Sequence, residues 1–247
     1  MNRVFITFDD GRKDNFANAF LTLKDASLKA TFFVTTGFID GTFVTNDFGE
    51  GRAPLSVQEL QIMKDGGMEI GCHGDKHITE INDFDIAFQK LQNWGLISER
   101  CSFSLPNSLI DRKTFLEFSE KCSPRITNIR GGRDEGCYSF FKKSAFATLR
   151  LIETYHAYSY FNKPNILRGA EKRCPWPSLV IRKEDKLSLL CRFLSSMPKD
   201  SSIILMFHSI VEKPESTWEW SLSNFKGFCD FLDENKFKMQ TALISSL

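Results

Sequence analysis

The sequence predicts an α/β fold in which seven or eight strands alternate with helices, a number that suits a (β/α) barrel. Short apolar runs recur along the chain, amphipathic stretches separate most of them, and polar residues directly follow several runs. Such fully apolar runs are typical of buried parallel strands. The predicted strands cover residues 3–8, 30–35, 68–72, 101–105, 125–129, 178–182, 201–207 and 237–241.

Helical patterns lie between these strands. Residues 14–25 carry apolar side chains at helical spacing, and residues 184–197 and 223–235 repeat the pattern. Ser56 followed three residues later by Glu59 is a capping-box signature, which predicts that a helix begins there.

Composition predicts one domain spanning residues 1–247, because the chain has no linker-like, low-complexity or repeated stretch. With 32 basic and 31 acidic residues the net charge is +1, which gives no electrostatic reason to expect a nucleic acid partner. The seven cysteines are scattered, as expected of free thiols in a reducing compartment. Neither a signal-peptide pattern nor a membrane-length apolar run occurs, so we expect a cytoplasmic protein without a membrane span.

The most informative feature is the pair Asp9 and Asp10, which directly follows the first apolar run and precedes Gly11. Adjacent carboxylates repel each other and are costly to bury, so they favour a compensating cation such as a divalent metal. An Asp-Asp-Gly sequence also forms ordinary tight turns, because Asp and Gly both tolerate turn geometry. The pair therefore needs partners elsewhere in the chain to indicate a site.

Three histidines provide such partners. His73 and His77 follow the predicted strand 68–72, and His208 follows the strand 201–207. Two histidines and one carboxylate make a common catalytic zinc site with an open position for water. Because carboxyl ends of parallel strands meet at one edge of a barrel, we expect these residues to lie close together.

These segments resemble the successive motifs of the polysaccharide deacetylase family, also called the NodB-homology or carbohydrate esterase 4 group. The resemblance implies a distorted (β/α) barrel, and it is strongest over residues 3–80. The matching segments are TFDDG at 7–11, KATFFV at 29–34, HGDKH at 73–77 and LMFH at 205–208.

The resemblance also implies roles for five residues. Asp10, His73 and His77 would bind one divalent metal ion, usually zinc. Asp9 would be the general base that activates the attacking water, and His208 the general acid. These roles meet the needs of amide hydrolysis, which requires a polarised carbonyl, an activated water and a proton for the departing amine.

The chain departs from the family pattern at its third motif. Where many members have Arg-Pro-Pro-Tyr, residues 104–107 read Ser-Leu-Pro-Asn, so the arginine that orients the catalytic aspartate is missing. A backbone N–H near Asn107 could still stabilise an oxyanion. Arg130 and Arg133, which follow another predicted strand, are candidates to replace the arginine, or they are solvated residues of a glycine-rich turn.

Two further departures concern single positions. Gly74 stands where the family usually has Ser or Thr, which leaves the metal ligands in place. The family's fourth motif has no clear match, and Trp176 is the nearest aromatic residue to it.

The resemblance predicts metal-dependent removal of an N-acetyl group from an amino sugar or saccharide, and we expect this reaction to belong to surface-glycan biosynthesis. Segments 37–54 and 131–173 are long enough to enclose the site, which favours a short or activated saccharide over a polymer. Two alternatives stay open. One is a sugar-binding relative without turnover, and the other is a hydrolase of a different C–N bond, such as a formamide or cyclic ureide.

Overall fold

The structure is a computed structural model, and it describes residues 1–46, 48, 52–108, 111–132, 155–168 and 174–247. These residues contain eleven β-strands of two to seven residues. They are β1 (Asn2–Phe8), β2 (Ala30–Val34), β3 (Glu69–Cys72), β4 (Cys101–Ser104), β5 (Ile126–Arg130), β6 (Leu167–Arg168), β7 (Leu179–Val180), β8 (Ser201–Phe207), β9 (Ser209–Val211), β10 (Glu219–Ser221) and β11 (Met239–Thr241).

Helices connect most of these strands. A π-helical turn at Asn15–Phe20 leads into α1 (Leu21–Asp25), followed along the described chain by α2 (Thr36–Asp40), α3 (Val57–Asp65), α4 (Ile81–Asn93), α5 (Arg112–Cys122), α6 (Tyr155–Asn162), α7 (Leu187–Ser195) and α8 (Leu222–Glu234). The predicted capping box is confirmed at the start of α3. Ser56 Oγ accepts from Glu59 N at 3.2 Å, and Glu59 Oε2 accepts from Ser56 N at 2.9 Å.

The main sheet runs in the order β5-β4-β3-β2-β1-β8, with all neighbours parallel. β1 is central: β8 pairs with it along Arg3–Phe8, β11 pairs with its first half and β2 with its second half. This explains the apolar sequences of β1 and β8, which are buried along nearly their whole length.

A short stretch of chain closes the curled sheet. Leu179 and Val180 pair with β8, and three residues earlier Trp176 forms a parallel bridge with Arg130 at the end of β5. Gly131 N donates to the Trp176 carbonyl at 2.8 Å, which fixes this contact. The predicted distorted (β/α) barrel is therefore confirmed.

The predicted strands differ from the observed ones in two places. The run at 178–182 forms only the two-residue β7, and the run at 237–241 forms β11, which flanks β1 instead of joining the ring. The structure adds β6, which pairs antiparallel with β8, and a separate two-stranded ladder of β9 and β10. These added strands have two or three residues, too few to produce a recognisable apolar run.

Two apolar clusters lie on opposite faces of the barrel strands. The larger packs Val4, Ile6 and Phe8 of β1 and the equivalent residues of other strands against the helices. The smaller fills the barrel interior, and its members are Phe5, Phe33, Leu167, Ile204 and Ile244.

The six described cysteines are free thiols. Among the described residues, no helix has the length and apolar character needed to cross a membrane.

Candidate active site

The first strand ends in a sharp turn that separates the two neighbouring carboxylates. Asp10 has a left-handed backbone with φ of 76°, and Gly11 follows with φ of 86°. A Cβ atom on Gly11 would lie 2.9 Å from Cδ1 of Ile39, whose side chain would have to shift, and the positive φ itself favours glycine at this position. The turn gives Asp9 and Asp10 different partners, although they are adjacent in sequence.

Asp10, His73 and His77 meet in one cluster. One ligand atom from each residue lies within 4.8 Å of the other two. His73 Nε2 and His77 Nε2 are 3.1 Å apart, and each is 3.7 Å from Asp10 Oδ1. His77, like Asp10, has a left-handed backbone, with φ of 58°. Such uncommon conformations concentrate at functional sites.

His73 has the tautomer and orientation that would let Nε2 bind a metal ion. Its Nδ1 lies 2.9 Å from the Ser104 carbonyl oxygen. Because a carbonyl oxygen only accepts, Nδ1 carries the hydrogen and Nε2 presents its lone pair to the cluster. Burial lowers the pKa of His73 to about 4, against the opposing charges of Asp9 and Asp10, so the ring is neutral at physiological pH. A neutral imidazole is the form that binds a divalent ion.

Asp10 is stabilised as a carboxylate by Arg12. The Nε and Nη2 atoms of Arg12 donate to Asp10 Oδ2 at 2.9 and 2.6 Å, and both side chains are buried. Burial alone would raise the pKa of Asp10, but the charge of Arg12, the largest of the opposing influences, helps to hold the pKa below its ordinary value. Asp10 therefore has one oxygen bound to Arg12 and the other facing the histidines.

Asp9 has a separate arginine. Arg130 Nη2 donates to both carboxylate oxygens of Asp9, at 2.7 Å to Oδ1, and Arg130 is fully buried. The same nitrogen contacts Ser104 Oγ, and Nη1 donates to Ser178 Oγ at 3.3 Å. The guanidinium carbon lies 5.1 Å from the centre of the Phe33 ring in the barrel interior. Arg130 thus pairs with Asp9 from β5, one strand beyond Ser104, where the family pattern has its arginine.

His208 lies at the end of β8, across the cluster from β3. Asn15 Nδ2 donates to its carbonyl oxygen at 2.6 Å, and its ring centre is 4.9 Å from that of Trp218. Burial lowers the pKa of His208, although Asp10 and Asp9 act in the opposite direction. Its Nδ1 atom has no hydrogen-bond partner within the described part of the chain.

One side of the cluster is covered by aromatic and charged residues. The buried Phe48 ring packs edge-on against His77 with centres 5.0 Å apart, and its centre is 5.8 Å from the Arg12 guanidinium carbon. Four residues later, Arg52 forms an ion pair with the buried Glu219 of β10. Residues 48 and 52 therefore join the region after β2 to the region after His208.

The remaining predicted residues have different placements. Asn107 lies in the 3₁₀ turn Pro106–Ser108 after β4, with φ of 56° and an exposed side chain. Trp176 pairs with the β5 backbone, packs against the interior apolar cluster and donates from Nε1 to Asn128 Oδ1 at 3.3 Å. Arg133 lies outside the described residues. The oxyanion role of Asn107 stays a prediction.

Sequence reasoning missed Arg12, the partner of Asp10, and Trp218, the neighbour of His208. Arg12 was detectable in principle, because it stands two residues after Asp10 in the same motif. No sequence pattern indicated Trp218, because it lies ten positions after His208 and outside the motif.

The first 102 residues match the family described as polysaccharide deacetylase. The resemblance to polysaccharide deacetylases is confirmed. No curated protein sequence matches the chain.

Three solved structures share the polysaccharide deacetylase fold with this chain but differ in their described functions. The Bc1960 peptidoglycan N-acetylglucosamine deacetylase is 12% identical, with 99% of this chain and 86% of that chain covered and a TM-score of 0.55. A Clostridium thermocellum family 4 acetyl xylan esterase with a cobalt ion is 13% identical, covering 99% and 89%, with a TM-score of 0.55. A Bacillus anthracis CE4 family pseudoenzyme is 12% identical, covering 99% and 64%, with a TM-score of 0.53. At these identities the likeness establishes the fold.

The buried pair of Arg130 and Asp9 generates a test by double-mutant cycle. Arg130→Gln should lower the free energy of unfolding of the metal-free protein by about 3–5 kcal/mol, because it leaves the Asp9 carboxylate buried without a cation. The Asp9→Asn, Arg130→Gln double variant should lose less than the sum of the two single variants. Urea denaturation measures each value.

The matched control is Lys236→Gln, which breaks the exposed pair of Lys236 and Asp233 and should cost less than about 1 kcal/mol. A cost for Arg130→Gln no larger than this control would contradict a tight buried pair.

Proposed function

We propose that this chain is a metal-dependent hydrolase that removes an N-acetyl group from an amino sugar. One observation carries the proposal: of two adjacent carboxylates, Asp10 joins His73 and His77 in a three-ligand cluster, while Asp9 is held beside that cluster by its own arginine. A ligand and an independent base side by side are what hydrolysis at a metal centre needs.

The ligand set fits a divalent ion. Asp10 Oδ1 and the Nε2 atoms of His73 and His77 point into one space, and the buried carboxylate is ionised. Two imidazoles and one carboxylate suit zinc and leave a further position open. When bound, such an ion would polarise the acyl carbonyl and acidify water.

Asp9 is suited to be the general base. Its Oδ2 lies 3.7 Å from His73 Nε2, so the carboxylate borders the ligand cluster without belonging to it. The ion pair with Arg130 places a buried positive charge beside the carboxylate and fixes its orientation. Asp9 would take the proton of the water that attacks the acyl carbon.

His208 is suited to be the general acid. As the C–N bond breaks, the nitrogen needs a proton to leave as an amine, and the imidazole would donate it. Burial, which lowers the pKa of His208, makes the protonated ring a stronger acid and also reduces the fraction of rings that are protonated at neutral pH. The products are acetate and the free amine.

The surroundings of the cluster favour a short or activated saccharide. Phe48 covers His77, and the Arg52 to Glu219 ion pair links two segments at the rim. Trp218 is 41% exposed beside His208, with the Arg182 guanidinium carbon 5.2 Å from its ring centre, and its exposed part offers an apolar contact to a sugar. A small nucleotide-linked or lipid-linked sugar fits such a site better than a long polymer, and we propose that the reaction belongs to surface-glycan biosynthesis.

Acetate release tests this function directly. Metal-loaded protein should release acetate from free, nucleotide-linked or short oligomeric N-acetylated amino sugars, and a chelator should stop the reaction. O-acetylated xylan oligomers, chitin and peptidoglycan fragments complete the panel. Release of acetate only from the O-acetylated compounds would show that the enzyme cleaves an ester and not an amide. Saturable sugar binding without acetate release under any metal would favour a sugar-binding protein without turnover.

A matched pair of isosteric variants separates the roles of the two aspartates. Asp9→Asn should retain the metal and lose about 10²–10⁴ in rate, because it removes a general base. Asp10→Asn should lose the metal as well, because it removes an anionic ligand. Metal content by plasma emission spectrometry and acetate release measure both. Metal loss in Asp9→Asn with retention in Asp10→Asn would reverse the assignment.

A further inference from the structure

Arg12 binds only one oxygen of Asp10. Its Nε and Nη2 atoms both donate to Oδ2, at 2.9 and 2.6 Å, while Oδ1 lies 3.7 Å from the Nε2 atoms of His73 and His77. The guanidinium and the imidazoles therefore share the carboxylate, with one oxygen on each side. Two hydrogen bonds to Oδ2 oppose any rotation that would turn this oxygen toward the histidines.

The guanidinium is itself fixed by a second anchor. Arg12 Nη1 donates to Ser209 Oγ at 3.1 Å, and Ser209 Oγ donates in turn to Asp14 Oδ1 at 3.3 Å. The other oxygen of Asp14 accepts from Ile210 N at 2.8 Å. Arg12 is 3% exposed, so it has little freedom to move away. The chain of contacts connects the Asp10 carboxylate, in the turn after β1, with β9, which directly follows His208.

We propose that Arg12 is a positioning residue that restricts Asp10 to one ligating oxygen and thereby sets which divalent ion the site prefers, an inference that rests on the metal site of the proposed function. One carboxylate oxygen with two imidazoles suits ions that accept four ligands, such as zinc. A carboxylate free to bind through both oxygens favours ions that prefer more oxygen ligands, such as manganese.

Positioning and simple charge repulsion make different predictions. A positive charge near the site would weaken the binding of every divalent ion by a similar factor. Restricting the number of carboxylate ligands instead changes the preference between ions. The ratio of two dissociation constants isolates the second effect, because a common charge effect cancels in it.

The experiment measures zinc and manganese dissociation constants of the metal-free full chain by competition with a chromophoric chelator. In Arg12→Gln, the ratio of the manganese to the zinc constant should fall by about tenfold or more, the size typical of changes to residues that orient metal ligands. The ratio for Arg12→Lys should lie between those of the wild type and Arg12→Gln, because a single ammonium group replaces the rigid, forked donors of the guanidinium. The visible absorption of the cobalt-loaded protein should weaken in Arg12→Gln as the coordination number rises.

The control is Lys13→Gln, which also removes one positive charge but contacts Glu59 instead of Asp10, and it should leave the ratio unchanged. If Arg12→Gln does not fold, Ser209→Ala keeps the Arg12 to Asp10 contact, removes its anchor and should shift the ratio in the same direction by a smaller factor. Zinc and manganese affinities that change by one common factor, or an unchanged ratio, overturn the proposal while leaving the proposed function intact. A wild-type protein that binds neither ion overturns both.

Discussion

The site depends on how two adjacent buried carboxylates are kept apart and neutralised. Asp9 and Asp10 are at most 3% exposed, and each is paired with a different buried arginine. Burying two like charges next to each other without cations would be prohibitively costly. After the left-handed turn at Asp10 and Gly11 the two carboxylates pair with different arginines, although each keeps one oxygen 3.7 Å from His73 Nε2. The proposed division into one metal ligand and one general base rests on this separate pairing.

The position of Arg130 shows how a barrel can supply the same charge from a neighbouring strand. Ser104 at the end of β4 is small, and its hydroxyl contacts the guanidinium that reaches Asp9 from β5. Because parallel strands end at one edge, either strand can deliver a cation to Asp9. Although the arginine of the third motif is missing, Arg130 supplies a positive charge from the neighbouring strand. Asp9 therefore keeps a cationic partner.

Much of this arrangement could be predicted from the sequence, because strong local patterns carry it. The apolar runs of β1 and β8 and the residues that follow them identified the strands and the edge where His208 and the aspartates lie. Periodicity could not separate Arg130 from Arg133, since both follow the same run. The structure places Arg130 in the barrel interior beside Asp9, a position that no local sequence pattern specifies.

Other features escaped prediction for different physical reasons. The role of Arg12 depends on a backbone reversal at Asp10, a conformation uncommon for residues other than glycine. The closing strand β7 has two residues, and three residues before it Trp176 forms a single bridge to Arg130 of β5. Strand pairings of one or two residues depend on the packing of the whole barrel, so no local sequence pattern predicts them.

The most direct measurement of the central claim, that the two carboxylates have separate duties, is a crystal structure of the zinc-loaded protein. The account predicts zinc on Asp10 Oδ1 and on Nε2 of both His73 and His77, with Asp9 still paired to Arg130. Zinc bridging Asp9 and Asp10, with Arg130 displaced from Asp9, would contradict it.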